Sequence, residues 1–185
     1  IMLANQSLAA STARILAAFD NILQIEQPDL VLVQGDTTTV LACSMAAFFR
    51  KVPIGHVEAG LRTQDIHSPF PEEFNRRVAA VGTTLHFAPT QRALDNLLSE
   101  GVSPESVFMT GNTVIDALLK LVAKPREDEI LQRKTGRRLI LVTAHRRENF
   151  GLPLQEICKA LTIIAASHTE VDIVYPVHPN PNVRD

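Results

Sequence analysis

Residues 28–36 read Pro-Asp-Leu-Val-Leu-Val-Gln-Gly-Asp, PDLVLVQGD, and this stretch decides the fold. Residues 30–33 are an uninterrupted apolar run. They lack the apolar–polar alternation of a strand with one wet face, so they predict a strand in a parallel sheet covered on both faces. Before it, Leu8, Ile15, Leu16, Phe19, Ile22 and Leu23 recur at helical spacing over residues 8–25, and Pro28 ends that helix. After it, Thr37, Thr38 and Thr39 open a helix running to residue 49. Asp36 therefore lies where a strand ends and a helix begins. It is a candidate for chemistry there, or simply the helix N-cap.

Outward from this unit the alternation continues. Residues 52–58, VPIGHVE, predict a second strand, and residues 71–81 a helix carrying Arg76 and Arg77. Residues 84–90 predict a third strand, and residues 91–100 a helix closed by Gly101. Residues 106–112 predict a short fourth strand, followed by a helix over 113–122. Strands alternating with helices imply an α/β fold of Rossmann-like, doubly wound parallel sheets with right-handed crossovers. From residue 123 to 138 the chain turns charged and poor in large apolar residues, as a linker between domains does. The pattern then restarts with strands at 139–145 and 171–179 around a helix at 154–166, so a second α/β domain is expected over 139–185.

Composition removes several classes of function. With 18 Lys and Arg against 20 Asp and Glu, the formal charge of −2 offers no basic field, and nucleic acid is not an expected partner. No run of about 18 apolar residues supports a membrane span, and the opening residues do not form a signal peptide. Cys43 and Cys158 fall at apolar positions of separate predicted helices and read as packed thiols in a reducing, cytoplasmic compartment. No GxGxxG or GxxxxGK loop is present to suggest a dinucleotide or P-loop nucleotide cofactor. The chain does not open on Met, begins near a helix and stops in a loop after a strand, so a fragment of a longer protein is expected.

In open α/β sheets ligands bind outside the carboxyl ends of the strands. Asp36, Glu58 and His145 follow strands at that edge, with the Thr110-Gly111-Asn112 turn and His178, and a loop over residues 59–71 could fold Glu72 back toward them. Three carboxylates meeting in a partly dry site would raise one another's pKa and let an acid and a base coexist near neutral pH. Plainer readings stand beside these. Glu72 and Glu73 also suit a helix amino terminus, His56 and His86 suit packed strand positions, and His67 and His168 suit solvent. Arg146 and Arg147, before a helix near Gly151, suit a phosphate group or a pair of salt bridges. Arg62 could neutralise Glu58 or reach a ligand phosphate. A metallophosphoesterase-type metal site fails on detail, since the residue after Gly111-Asn112 is Thr113 rather than His.

Taken in order, QGDTTT, HVEAGLRT, SPFPEEFNRR, TGNTVID and TAHRREN make nearly the whole chain resemble the non-hydrolysing UDP-N-acetylglucosamine 2-epimerases. The resemblance implies a glycosyltransferase-B-like arrangement of two Rossmann-like halves with substrate in the cleft between them. Family members are about twice as long. Residues 1–122 would then be the later part of the N-terminal domain, and 139–185 the beginning of the C-terminal nucleotide-binding domain, and the chain alone should not turn over substrate. Asp36, Glu58 and Glu72 match the family's acidic active-site residues, and His145 its nucleotide-contacting catalytic histidine. The substrate-binding set would be Asp36, Glu58, His145, Arg146 and Arg62. The implied reaction is epimerisation at carbon 2 of UDP-N-acetylglucosamine to UDP-N-acetylmannosamine for cell-envelope polysaccharides, through 2-acetamidoglucal and UDP. It would run without metal or cofactor, in a cytoplasmic homodimer that substrate also activates allosterically. The rival readings are a glycosyltransferase of the same fold, which needs an acceptor groove, and a non-catalytic nucleotide-sugar sensor.

Overall fold

The computed structural model describes residues 6–124, 136–144 and 149–178. The chain divides into two compact units, residues 1–125 and 126–185. The first contains α1 (Leu8–Glu26), β1 (Val31–Gln34), α2 (Thr38–Phe49), β2 (Ile54–Val57), α3 (Glu72–Gly82), β3 (Leu85–Ala88), α4 (Gln91–Ser99), a 3₁₀ turn (Pro104–Ser106), β4 (Val107–Met109) and α5 (Thr113–Val122). The second contains β5 (Arg138–Leu141), α6 (Leu152–Ser167) and β6 (Val171–Val174). The expected strands are all present; β1 keeps its expected length but sits one residue later, and the others are shorter than expected. Among the described residues no helix is long and apolar enough to cross a membrane.

In the first unit the strands pair in the order β1-β2-β3-β4, all parallel, so each strand lies beside the next in sequence. The register puts Val33, His56, His86 and Val107 in one row across the sheet. Parity along the strands puts Val31 and Ile54 on the same face. This face is the core: Leu23 of α1, Val40, Ala46 and Ala47 of α2, and Ala79 of α3 close over Val31, Val33 and Ile54. Burying Ile54 alone contributes about 2 kcal/mol. The opposite face carries Leu32, Gly55, Phe87 and Phe108. Gly55 lets Leu32 and Phe87 approach closely, since a Cβ there would lie 2.6 Å from Leu32 Cδ2.

That second face departs from expectation. Leu32 is 63% exposed and Phe108 45%, so among the described residues β1 is covered on one side only. The apolar run correctly marks a parallel strand, but it does not say that both covering layers lie within these residues. In the second unit β5 and β6 pair in parallel, with Arg138 opposite Val171 and α6 as the crossover.

The caps explain the helix starts. Ser7, Thr37, Thr90 and Asn112 each accept a first-turn N–H through the side chain. Gln27, left-handed at φ 44°, closes α1 just before Pro28. Cys43 is half-buried and its thiol pKa is pushed up by burial. Cys158 is exposed on α6, so the packed-thiol reading does not hold for it.

Candidate active site

The site is built where β1, β2 and α3 meet. β1 ends at Gln34, Gly35 turns the chain at φ 77°, and Asp36 follows. Thr37, not Asp36, caps α2, its hydroxyl accepting the Val40 N–H at 3.4 Å. The N-cap reading of Asp36 is thereby excluded and its carboxylate is left for something else. That carboxylate accepts a hydrogen bond from Arg76 Nη2, and the Asp36 carbonyl accepts one from Asn75 Nδ2 at 2.9 Å.

β2 ends one residue before Glu58, whose backbone is left-handed at φ 67°. A non-glycine residue there costs about 1 kcal/mol, a cost that persists only where surrounding structure enforces it. Here the enforcement is visible. Ala59 N–H donates to Phe87 O at 3.0 Å. Gly60, at φ 85°, is wedged so tightly under α4 that an added Cβ would fall 2.1 Å from Ala93 O. The turn sends the Glu58 side chain back over β1, with Oε2 3.7 Å from where a Cβ on Gly35 would stand. Asp36 and Glu58 thus rise from the carboxyl ends of neighbouring strands.

α3 supplies the third carboxylate and the cation. Glu72 and Glu73 occupy its first turn, as the macrodipole favours, and Pro71 before them gives no side-chain cap. The two glutamates then diverge. Glu72 is half-buried and stands one turn before Arg76 on the same helical stripe. Glu73 is fully buried, a placement that costs several kcal/mol unless the charge is matched. It accepts from Arg77 Nε at 2.9 Å, from the Thr63 N–H at 3.2 Å, and pairs with Arg76 Nη1 at 3.3 Å. Among the described residues neither the Glu58 nor the Glu72 carboxylate has a hydrogen-bond or ion-pair partner.

Arg62 does not neutralise Glu58. The turn at Gly60 carries it to the far end of α4, where its side chain is buried and its guanidinium forks onto Glu100 with two 2.7 Å hydrogen bonds. A third donor is taken by Leu61 O at 2.8 Å. The Arg62 hydrogen bond, ahead of burial, sets the net direction at Glu100, whose pKa lies below the ordinary carboxylate value. Arg77 stands 3.8 Å from the same carboxylate. Alternating charges therefore run unbroken from Arg62 through Glu100, Arg77, Glu73 and Arg76 to Asp36.

Beneath this edge lie the two buried histidines, each 1% exposed and packed, as expected for strand positions. His56 Nε2 lies 2.7 Å from Gly35 O and so supports the turn that carries Asp36. Burial is the main cause lowering the pKa of both, His86 to about 4, with the His56 charge next for His86. His67 and His168 are exposed, as expected. At the β4 end Asn112 caps α5, and Gln34 Nε2 donates to Thr113 Oγ1 at 3.1 Å, so the starts of α2 and α5 share one edge. His145 and Arg146 lie outside the described residues.

Three residues of this site were missed by reasoning from sequence: Glu73 as an anchor, and Asn75 and Arg76 as the partners of Asp36. A signal existed. In EEFNRR, residues 72–77, Glu73 precedes Arg76 by three and Arg77 by four, the spacing at which side chains on a helix meet. The partnership with Asp36, 40 residues away in sequence, had no such signal.

Known proteins show the same framework. A family model described as UDP-N-acetylglucosamine 2-epimerase matches residues 2–185. The Escherichia coli K12 UDP-N-acetylglucosamine 2-epimerase is 48% identical over 194 residues, covering 100% of this chain and 52% of the relative. Among solved structures, S. aureus MnaA with UDP superposes at a TM-score of 0.93 with 48% identity, covering 100% of this chain and 48% of the other. The Neisseria meningitidis UDP-GlcNAc 2-epimerase bound to UDP-GlcNAc superposes at 0.92 with 44% identity, covering 100% and 52%. These matches agree with the α/β, parallel-sheet, glycosyltransferase-B-like fold class. The chain spans about half the length of the curated relatives it matches, and on a match running from residue 2 to residue 185 it belongs to the UDP-N-acetylglucosamine 2-epimerase family.

Proposed function

We propose that the protein carrying this chain epimerises carbon 2 of UDP-N-acetylglucosamine, giving UDP-N-acetylmannosamine. The observation that carries the reading is the pair of strand-end carboxylates, Asp36 and Glu58, on neighbouring parallel strands, with α3, whose first residue is Glu72, tied to Asp36 through Asn75 and Arg76; open α/β sheets take their ligands at this edge. The proton at carbon 2 is removed by a carboxylate as the C1–O bond to UDP breaks. The C–H electron pair becomes the C1=C2 double bond of 2-acetamidoglucal, and the C1–O pair leaves with UDP. Readdition of UDP at C1, with a proton delivered to the opposite face of carbon 2, completes the inversion.

Such a cycle needs proton carriers on two faces of the sugar. Glu58 and Glu72 suit that task because no protein group among the described residues engages their carboxylates, whereas Asp36 is tied to Arg76 and orients. His145 and Arg146, followed by a helix amino terminus, are assigned to the departing diphosphate on sequence grounds. Arg62, committed to Glu100, is removed from the substrate-binding set. The same reading takes UDP-N-acetylglucosamine as substrate and allosteric activator, UDP as the retained intermediate partner, a cytoplasmic homodimer as the working form and envelope polysaccharide as the destination.

The test is hydrogen exchange at carbon 2. The complete gene product containing residues 1–185, incubated with UDP-N-acetylglucosamine in deuterated water, should place deuterium at carbon 2 of both epimers. A glycosyltransferase or a nucleotide-sugar sensor would leave carbon 2 protiated, and that result would remove the proposal.

A further inference from the structure

We infer that Arg76 is a positioning residue for this chemistry: it holds the Asp36 carboxylate in place, and is itself held by the buried carboxylate of Glu73. The inference rests on the epimerase reading above and adds a residue to it.

The guanidinium is gripped from two sides. Nη2 donates to the Asp36 carboxylate, and Nη1 lies 3.3 Å from Glu73 Oε2. Arg76 is 9% exposed and its Nε is enclosed without a partner, so the side chain has little room to adopt another rotamer. Glu73, at 0% exposure, is fixed in turn by Arg77 and by the Thr63 N–H, which belong to the next helical turn and to the loop entering α3. Asn75 adds a second tie from the same helix, to the Asp36 carbonyl. The chain after β1 is thus located by α3 at both its backbone and its side chain.

The Asp36–Arg76 pair is not needed to start α2, because Thr37 provides that cap. Nor is Arg76 needed to satisfy Glu73, which keeps Arg77 and Thr63 without it. What remains for the pair is to set the position of the Asp36 carboxylate, whose rotamer freedom would otherwise have to be frozen during each turnover. Glu72 begins the same helix, so one rigid element references both carboxylates.

The test is a double-mutant cycle in the complete gene product with Asp36→Ala, Arg76→Gln and the pair combined, read as kcat and KM for epimerisation with deuterium incorporation alongside. Misplacement of a reacting group predicts that Arg76→Gln lowers kcat about 100-fold while KM stays within about threefold. Arg76→Lys, which keeps the charge but loses the two-sided fork, should recover about a tenth of wild-type kcat. Because Arg76 acts through Asp36, the double variant should be no slower than Asp36→Ala alone, within about threefold. Wild-type kcat in Arg76→Gln, or losses that multiply in the double variant, would overturn the inference. If Arg76→Gln does not fold, the same cycle run with Arg76→Lys decides by the same criterion. A wild-type protein that exchanges no hydrogen at carbon 2 would bring down the epimerase reading and this inference together, whereas exchange with unaffected Arg76 variants would bring down the inference alone.

Discussion

Lowering the pH should loosen the first unit through His86. This ring is 1% exposed in the row Val33–His56–His86–Val107, and its Nδ1 is enclosed without a partner. Its pKa is pushed down to about 4, first by burial and then by the neighbouring His56 and Arg62 charges. In the unfolded chain the ring titrates near 6.5. Between those values the unfolded state binds a proton that the folded state refuses, so stability is complete above about pH 6.5 and drains away as pH falls toward 4. The difference of about 2.5 units corresponds to about 3 kcal/mol in total, of which about 2 kcal/mol is lost between pH 7 and 4.5. His56 shifts in the same direction and adds to the loss. Carboxylates also titrate in this window, so the measurement is a difference. Native-state hydrogen exchange of peptides covering β2 and β3 is compared at pH 7 and 4.5 in the wild type and in His86→Leu. The wild type should lose about 2 kcal/mol more protection than the variant. Equal losses in the two proteins would refute the claim that this buried imidazole is kept neutral by the fold.

Glu58→Gln and Glu72→Gln should each remove at least about 2 kcal/mol of transition-state stabilisation, seen as slowed deuterium entry at carbon 2 of UDP-N-acetylglucosamine in the complete gene product; unchanged rates in both would end their assignment as proton carriers. Gly60→Ala should cost more than about 3 kcal/mol, because the new methyl meets the Ala93 carbonyl and the backbone is left-handed; a melting temperature close to wild type would show that the turn can relax. Thr37→Ala should cost about 1 kcal/mol in urea unfolding through the lost cap of α2. An unchanged unfolding midpoint would show that the Thr37 hydroxyl does not cap this helix.

What could be read from sequence follows the range of the interactions involved. The apolar run at residues 30–33, Pro28 after the first helix and Gly101 after α4 act within a few residues, and each marks its element correctly. The placement of Asp36 and Glu58 at strand ends follows from the same local patterns. Roles decided across the fold were not legible. Whether Asp36 caps α2 depends on Thr37 competing one residue later, and on Arg76 arriving from α3. Glu72 and Glu73 are identical in type and adjacent, yet the helical angle between them leaves one without a partner among the described residues and buries the other in an ionic cluster. The fate of Arg62 depends on the direction of the Gly60 turn, and the pairing of His56 with His86 on strand register, which no short stretch of sequence encodes.

Glu58 is held in a backbone conformation that glycine or asparagine would tolerate with less strain. A laboratory selection for heat resistance alone, blind to turnover, would therefore be drawn to this codon early. The hardier descendants would have discarded the carboxylate that the reaction is proposed to use, so a thermostabilising campaign on this protein should hold position 58 constant.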